Sequence, residues 1–283
     1  MPFSKNVNPN LRADSTGRLI MTFETIEFMV DEGFARLTLN RPDKLNSFNA
    51  KMHEEVRAVM KTVQRDDSIR CLLLAANGRG FCAGQDLSNR NVAPGDEVPD
   101  LGESLERRYN PLIRSLVKLE KPVICAVNGV AAGAGANIAL ACDIVLAAES
   151  AKFIQSFCNI GLLPDSGGTW SLPRLVGRAR AMGMALLGDK ISARQAEDWG
   201  LIWKCVADDE LAAMAEQLAR HLATRPTRGL GLIKRAMLAS NDNSLDAQLD
   251  LERDLQRLAG RSDDYREGVS AFMDKREPEF KGR

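Results

Sequence analysis

Three places in this 283-residue chain have residue types and spacing that can do chemistry. One is a carboxylate, Asp165, in Leu163-Pro164-Asp165-Ser166-Gly167. The others are two glycine-rich segments, Phe81-Cys82-Ala83-Gly84-Gln85 and residues 128–135. The second of these follows an apolar run and opens a small-residue helix, where a ligand can reach the free amides of the first turn. Such amides hold a phosphate, or a carbonyl oxygen that turns negative during reaction. The loop at 81–85 can offer a further amide from the other side. For either segment alone, glycines that merely let a helix pack on a strand are an equal reading. The two together, with a carboxylate downstream, favour chemistry. Taken by itself Asp165 reads as an N-cap of the helix that follows. In an apolar pocket a carboxyl group has its pKa raised, which suits proton transfer near neutrality.

Other chemistries fit poorly. Gly133-x-Gly135 continues as Ala136-Asn137-Ile138, so the third glycine of a dinucleotide fingerprint is absent, and no acid follows at ribose-binding distance. Gly167-Gly168-Thr169 lacks the lysine of a phosphate loop. His53 and His221 are the only histidines, each in an expected amphipathic helix among polar neighbours, and both read as exposed surface. Cys71, Cys82, Cys125, Cys142, Cys158 and Cys205 show no C-x-x-C spacing and sit mostly in apolar stretches, as reduced core residues of a cytosolic protein do. Histidine and cysteine together leave little for a transition metal. Thirty-eight basic residues balance 38 acidic ones, so no global field draws nucleic acid or an anionic membrane. No apolar run nears the length of a membrane span, and residues 1–20 lack the apolar core of a secretory signal.

The elements that must position these groups follow from periodicity. Residues 23–28 and 34–40 read as strands joined at Asp31-Glu32-Gly33. Asn49 caps a helix whose Met52, Val56, Val59, Met60 and Val63 recur at helical spacing. Residues 70–76 are a buried strand, 78–86 a loop, and 92–101 a mobile surface excursion rich in Pro, Gly and acids. A helix at 104–119 leads through Pro122 into a strand at 123–127, the small-residue stretch, and a strand at 143–148. Strand and helix in alternation argue for an α/β architecture with largely parallel strands. Beyond residue 166 the chain turns helical apart from a short strand in WKCVA. Residues 1–20 are polar and aperiodic, an N-terminal tail disordered at least in part, with folded sequence starting near Thr22.

Four segments carry a likeness: NRPDKLNSFN (40–49), GRGFCAGQDL (78–87), KPVICAVNGVAAGAGANIALACDI (121–144) and IGLLPDSGGTWSLPRLVG (160–177). In this order and spacing they resemble the enoyl-CoA hydratase/isomerase, or crotonase, family from about residue 22 to the end. The resemblance implies an α/β fold, a spiral of ββα units over residues 21–220 with a C-terminal helical trimerisation region at 221–283. It implies an oxyanion hole at the backbone N–H groups of Gln85 and Ala134, the second position being more often Gly in the family. Hydration in this family uses two glutamates, and the matching positions hold Asn137 and Phe157, neither of which can be a general base. An isomerase is therefore expected, with Asp165 as its catalytic acid/base. Within the family, FCAGQDL, GLLPDSGGTW and LDLERDLQRLAGRSDDYREGVSAF most resemble the isomerases that turn ring-1,2-epoxyphenylacetyl-CoA into the seven-membered oxepin-CoA in phenylacetate catabolism.

By the same resemblance Lys44, Leu45, Ala83, Gln85 and Leu87 line the coenzyme A path, and Phe272 and Lys275 complete the pocket from a neighbouring subunit. Asp86 supports the oxyanion loop by accepting local hydrogen bonds, and Asp143 is structural. No cofactor is expected, coenzyme A being part of the substrate, and no metal. The expected partners are an acyl-CoA and copies of the chain, as a homotrimer or dimer of trimers in the cytoplasm, with no nucleic acid or membrane. The nearest rival is movement of a double bond from the 3,4 to the 2,3 position of an acyl-CoA. Binding of AU-rich RNA, known among crotonase relatives, is opposed by zero net charge and the lack of a lysine-rich helix. A non-catalytic homologue is the third reading, kept by the missing glutamates.

Overall fold

The structure, a computed structural model, describes residues 12–13, 19–88 and 100–283. Most of the expected tail at 1–20 and of the excursion at 92–101 lies outside the described residues. The chain opens as an antiparallel ribbon of β1 (Arg12–Ala13), β2 (Leu19–Thr22), β3 (Ile26–Asp31) and β4 (Phe34–Leu39). Folded sequence thus starts before Thr22: Leu19 and Ile20 pair with Val30 and Met29. The expected boundary fell late because four residues are too few to show a period. Glu32 and Gly33 turn the chain between β3 and β4 with φ of 45° and 83°, where glycine avoids the Cβ penalty.

Helix α1 (Ala50–Arg65) starts at Asn49, whose Oδ1 accepts the Met52 N–H at 2.9 Å, as its cap position demands. Strands β5 (Cys71–Ala76) and β6 (Gly80–Cys82) follow, then α2 (Leu101–Ser104), a π-helical turn at Leu105–Tyr109, and α3 (Asn110–Lys118). Next come β7 (Val123–Val127), β8 (Val130–Ala132) and α4 (Ala134–Leu140), then β9 (Ile144–Ala148) and β10 (Lys152–Ile154). A 3₁₀ turn at Ser156–Ile160 leads to α5 (Gly168–Leu187), β11 (Lys190–Ser192), α6 (Ala193–Asp198) and β12 (Lys204–Val206). Four helices end the chain: α7 (Leu211–Ala223), α8 (Thr227–Ala239), α9 (Leu245–Ala259) and α10 (Asp263–Asp274).

The large sheet has the order β1-β2-β3-β4-β5-β7-β9-β12, parallel from β4 onward. A second sheet, β11-β10-β8-β6, stands beside it. Each of the pairs β5–β6, β7–β8 and β9–β10 sends its first strand into the large sheet and its second into the small one, with a helix closing the repeat. The chain therefore winds as a spiral of ββα units. Sequence reading missed the second sheet, since three-residue strands such as Gly80–Cys82 carry too few side chains for alternation to register. Phe28, Phe34, Leu37, Leu72, Leu73, Ile124 and Val127 fill the core, which α7 covers against β4, β5, β7 and β9. All six cysteines are free, and burial pushes the Cys71 and Cys82 thiols up to about 12. Among the described residues no helix is long and apolar enough to cross a membrane.

Against expectation His53 is buried, its ring edge-on to Tyr109 at 4.5 Å and near Phe48 at 4.9 Å. Its polar neighbours misled: His53, Val56 and Met60 share one helix face, and that face is the inner one. Burial first, then Arg108 and Arg57, pulls its pKa down to about 3. His221 is exposed.

Candidate active site

The two glycine-rich segments meet. Gly84 holds φ of +89°, and a Cβ there would lie 3.0 Å from the Ala132 carbonyl and 3.3 Å from the Ala134 nitrogen. Only glycine lets the loop come this close. Gly135 serves the same approach, since an added Cβ would stand 2.3 Å from the Cys82 carbonyl oxygen. A β-bridge sets the direction of the Gln85 amide. Phe48 N–H donates to the Gly84 carbonyl at 2.7 Å, and its carbonyl accepts from Asp86 N–H at 3.0 Å. In a parallel bridge the residue so bracketed turns its own N–H to the opposite side.

Ala134 is the first residue of α4, with Gly133 at the cap in a conformation (φ 53°, ψ −126°) suited to glycine. Its N–H is among those a helix start leaves without an intrahelical acceptor. Among the described residues neither the Gln85 nor the Ala134 N–H has a protein acceptor. Two backbone donors on facing segments are what a developing oxyanion needs.

The loop holding Gln85 is itself fixed. Leu45 and Asn46 both take left-handed φ, 47° and 54°, and the Leu45 carbonyl accepts the Ala83 N–H at 2.9 Å. The buried Asn46 side chain donates to the Asn77 and Gly80 carbonyls at 2.9 Å each. Asp86 accepts from the Ser88 hydroxyl (2.6 Å) and N–H (3.0 Å) and from Arg41 (2.8 Å). Those bonds, Ser88 first, bring its pKa down to about 2 despite partial burial. Lys44 is exposed at the end of the turn Pro42–Lys44, next to Leu45. Leu87 is also exposed, whereas Leu45, Ala83 and Gln85 are half-buried.

Asp165 stands on the approach to α5. The cap position is Gly167, and no side chain caps this helix, so the N-cap reading of the Asp165 carboxylate does not hold. Its Oδ1 accepts from Ser166 Oγ at 2.8 Å. The Asp165 main-chain carbonyl accepts from Gly168 N–H and from Asn137 Nδ2, each at 2.8 Å. Asn137 Oδ1 in turn accepts from the buried Gln155 at 2.8 Å. Asn137 lies in the first turns of α4, so one helix presents the Ala134 amide and braces the Asp165 loop. Phe157 is buried, its ring edge 3.6 Å from where a Gly133 Cβ would be. The positions of the two hydratase glutamates thus hold a carboxamide turned to the Asp165 loop and an apolar ring packed by Gly133.

Other expected residues lie elsewhere. Asp143 accepts from Val123 N–H and Lys234 Nζ, both at 2.8 Å, and joins β7 to α8. Phe272 and Lys275 are exposed on and at the end of α10, Phe272 at 82%, and one chain alone gives them no partner at the cleft. Sequence reading passed over Tyr109, buried at 2% exposure, whose hydroxyl donates to Gln85 Oε1 at 2.9 Å. A π turn shifts its register, so the helical period gave no sign of it.

The Enoyl-CoA hydratase/isomerase family matches residues 30–283. A 1,2-epoxyphenylacetyl-CoA isomerase of Escherichia coli (strain K12) is 65% identical over 254 residues, 90% of this chain and 97% of that protein. A trans-2-decenoyl-[acyl-carrier-protein] isomerase of Streptococcus mutans is 35% identical over 264 residues, 93% of this chain and all of the relative. A crystal structure of an enoyl-CoA hydratase from Polaromonas sp. JS666 superposes with a TM-score of 0.81 at 33% identity, covering 90% of this chain and 99% of that one.

Proposed function

The chain belongs to the enoyl-CoA hydratase/isomerase family, and from that premise we propose that it isomerises ring-1,2-epoxyphenylacetyl-CoA to oxepin-CoA. The observation that carries the reading is the close meeting of Gly84 with the start of α4, which brings the loop of Gln85 against the Ala134 amide. The thioester acidifies a carbon-bound proton of the acyl group. Asp165 takes that proton, and the electron pair enters the thioester carbonyl as an enolate. The two amides hold the negative oxygen, each donor of this kind being worth on the order of 3 kcal/mol of barrier. The carbon–carbon bond shared by the epoxide and the six-membered ring breaks, its electron pair joining the ring double bonds to give the seven-membered ring. Asp165 returns the proton to a ring carbon, so that substrate and product have the same composition.

Asn137 and Phe157 support an isomerase over a hydratase. Neither can activate water, and Phe157 makes the pocket apolar where a hydratase needs a second carboxylate. The same apparatus would move a double bond in a 3-enoyl-CoA, a reading kept by the isomerase from Streptococcus mutans among the relatives. In this reading Lys44, Leu45, Ala83 and Leu87 take the coenzyme A moiety, with the lysine a point charge for its phosphates. Phe272 and Lys275 would act from a neighbouring subunit of a homotrimer or dimer of trimers. The exposed apolar side chains on α8, α9 and α10, Met237, Leu245, Phe272 and Met273 among them, favour such an assembly. The test is turnover of ring-1,2-epoxyphenylacetyl-CoA at unchanged mass, beside crotonyl-CoA in water. Isomerisation should outrun hydration by orders of magnitude. Efficient recovery of hydroxyacyl-CoA would overturn the reading.

A further inference from the structure

The proposed role of Gln85 uses its main-chain N–H alone, yet its side chain is held as firmly as that of a core residue. Oε1 accepts from the Tyr109 hydroxyl at 2.9 Å, and Nε2 donates to the Phe48 and Asp86 carbonyls at 3.1 Å each. Fixing a glutamine costs side-chain entropy that a rim residue would otherwise keep.

Tyr109 reaches Gln85 through an irregularity. The turn Leu105–Tyr109 is π-helical, placed between two α-helical stretches. Such single turns add one residue to a helix and concentrate at functional sites. With the added residue removed, the side chain at 109 would swing by about 100° around the axis, the angle per residue of an α-helix. The ring would then leave the pocket it shares with His53 (4.5 Å) and Phe48 (6.3 Å), and the hydroxyl would leave Gln85. Phe48 is also the residue whose backbone brackets Gln85 in the β-bridge. Side chain and backbone of Gln85 are thus anchored to one cluster, by different atoms.

We propose that Tyr109 is a positioning residue of the oxyanion hole: by fixing the Gln85 side chain it sets the plane of the peptide whose N–H receives the enolate oxygen. The inference rests on the reading of Gln85 and Ala134 as that hole. Hydrogen bonds weaken steeply as the N–H···O angle falls, so a peptide plane free to rock loses part of its donor's effect. Loss of a whole donor costs about 10²–10³ in kcat. Loosening one should cost roughly tenfold, with KM changed by less than about twofold because the coenzyme A contacts remain.

The test uses the full chain and crotonyl-CoA carrying ¹³C at the thioester carbonyl, read by isotope-edited infrared spectroscopy. In the wild type the carbonyl stretch should move to lower frequency on binding. Tyr109→Phe, which keeps the ring, should give back part of that shift and lower kcat for ring-1,2-epoxyphenylacetyl-CoA about tenfold at nearly unchanged melting temperature. Gln85→Leu removes the same bond from its other end, together with the two that Nε2 makes, and should cost at least as much. The double variant should lose no more than the worse single one, as coupled residues do. A wild-type shift and rate retained in both single variants would overturn the proposal. So would loss only in Tyr109→Ala, since the ring would then act by packing. No shift in the wild type would instead overturn the oxyanion reading itself.

Discussion

Replacing Asp165 by asparagine separates chemistry from structure at one position. Part of the structural cost can be read from the contacts. Asparagine keeps the Oδ1 that accepts the Ser166 hydroxyl, and the main-chain carbonyl keeps its bonds to Gly168 and Asn137. Negative charge near the start of α5 is lost, worth about 0.3–1 kcal/mol. Loss of that charge should lower the melting temperature by about 1–4 °C, taking about 2–4 °C per kcal/mol for a chain of this size. The chemical cost is far larger if Asp165 moves the proton, because the carboxamide is no base. A general acid–base group contributes about 10²–10⁴-fold. At about 1.36 kcal/mol per factor of ten, that is about 2.7–5.5 kcal/mol of barrier. Single-turnover rate, KM and deuterium exchange at the acidic carbon should be measured together. We expect rate and exchange to fall in parallel with KM almost unmoved. Wild-type exchange in Asp165→Asn would refute the assignment and send the search for the base elsewhere in the pocket.

Two further outcomes follow from the fold. A chain beginning at Met21 loses β1 and half of β2, and should melt a few degrees below the full-length protein by calorimetry. The unfolded chain protonates His53 near 6.5 and the folded chain near 3, because burial opposes the charge. Stability from neutral His53 is complete above about pH 6.5 and falls as pH drops toward 3, by about 1.4 kcal/mol per pH unit. Urea midpoints of His53→Phe should lack most of that slope, and an unchanged slope would show that His53 takes its proton while folded.

How much of this was legible depended on length and on distance along the chain. Continuous apolar runs such as Val123–Val127, and the Asn49 cap, announce their elements because every residue in them obeys one local rule. The strands Gly80–Cys82, Val130–Ala132 and Lys152–Ile154 obey none, being held by each other. Glycines 84 and 135 hinted at a close approach, but only the fold says that they approach one another. Asp165 could not be told from a cap in sequence, since the cap falls two residues later on a glycine. Asn137 looked like an absence, a glutamate lost, and the structure gives it two partners of its own.

Those partners bear on how such a protein can change. Replacing Asn137 by glutamate would supply half of the glutamate pair that the family resemblance expects of a hydratase. Space at that site is already tight, for a Cβ on Gly168 would lie 2.4 Å from Asn137 Nδ2. The longer, anionic side chain cannot donate to the Asp165 carbonyl, so the brace goes before the second glutamate, at 157, is gained. A lineage drifting between the two activities would pass through a form with neither. Selection acting one substitution at a time would then hold the chain where it is.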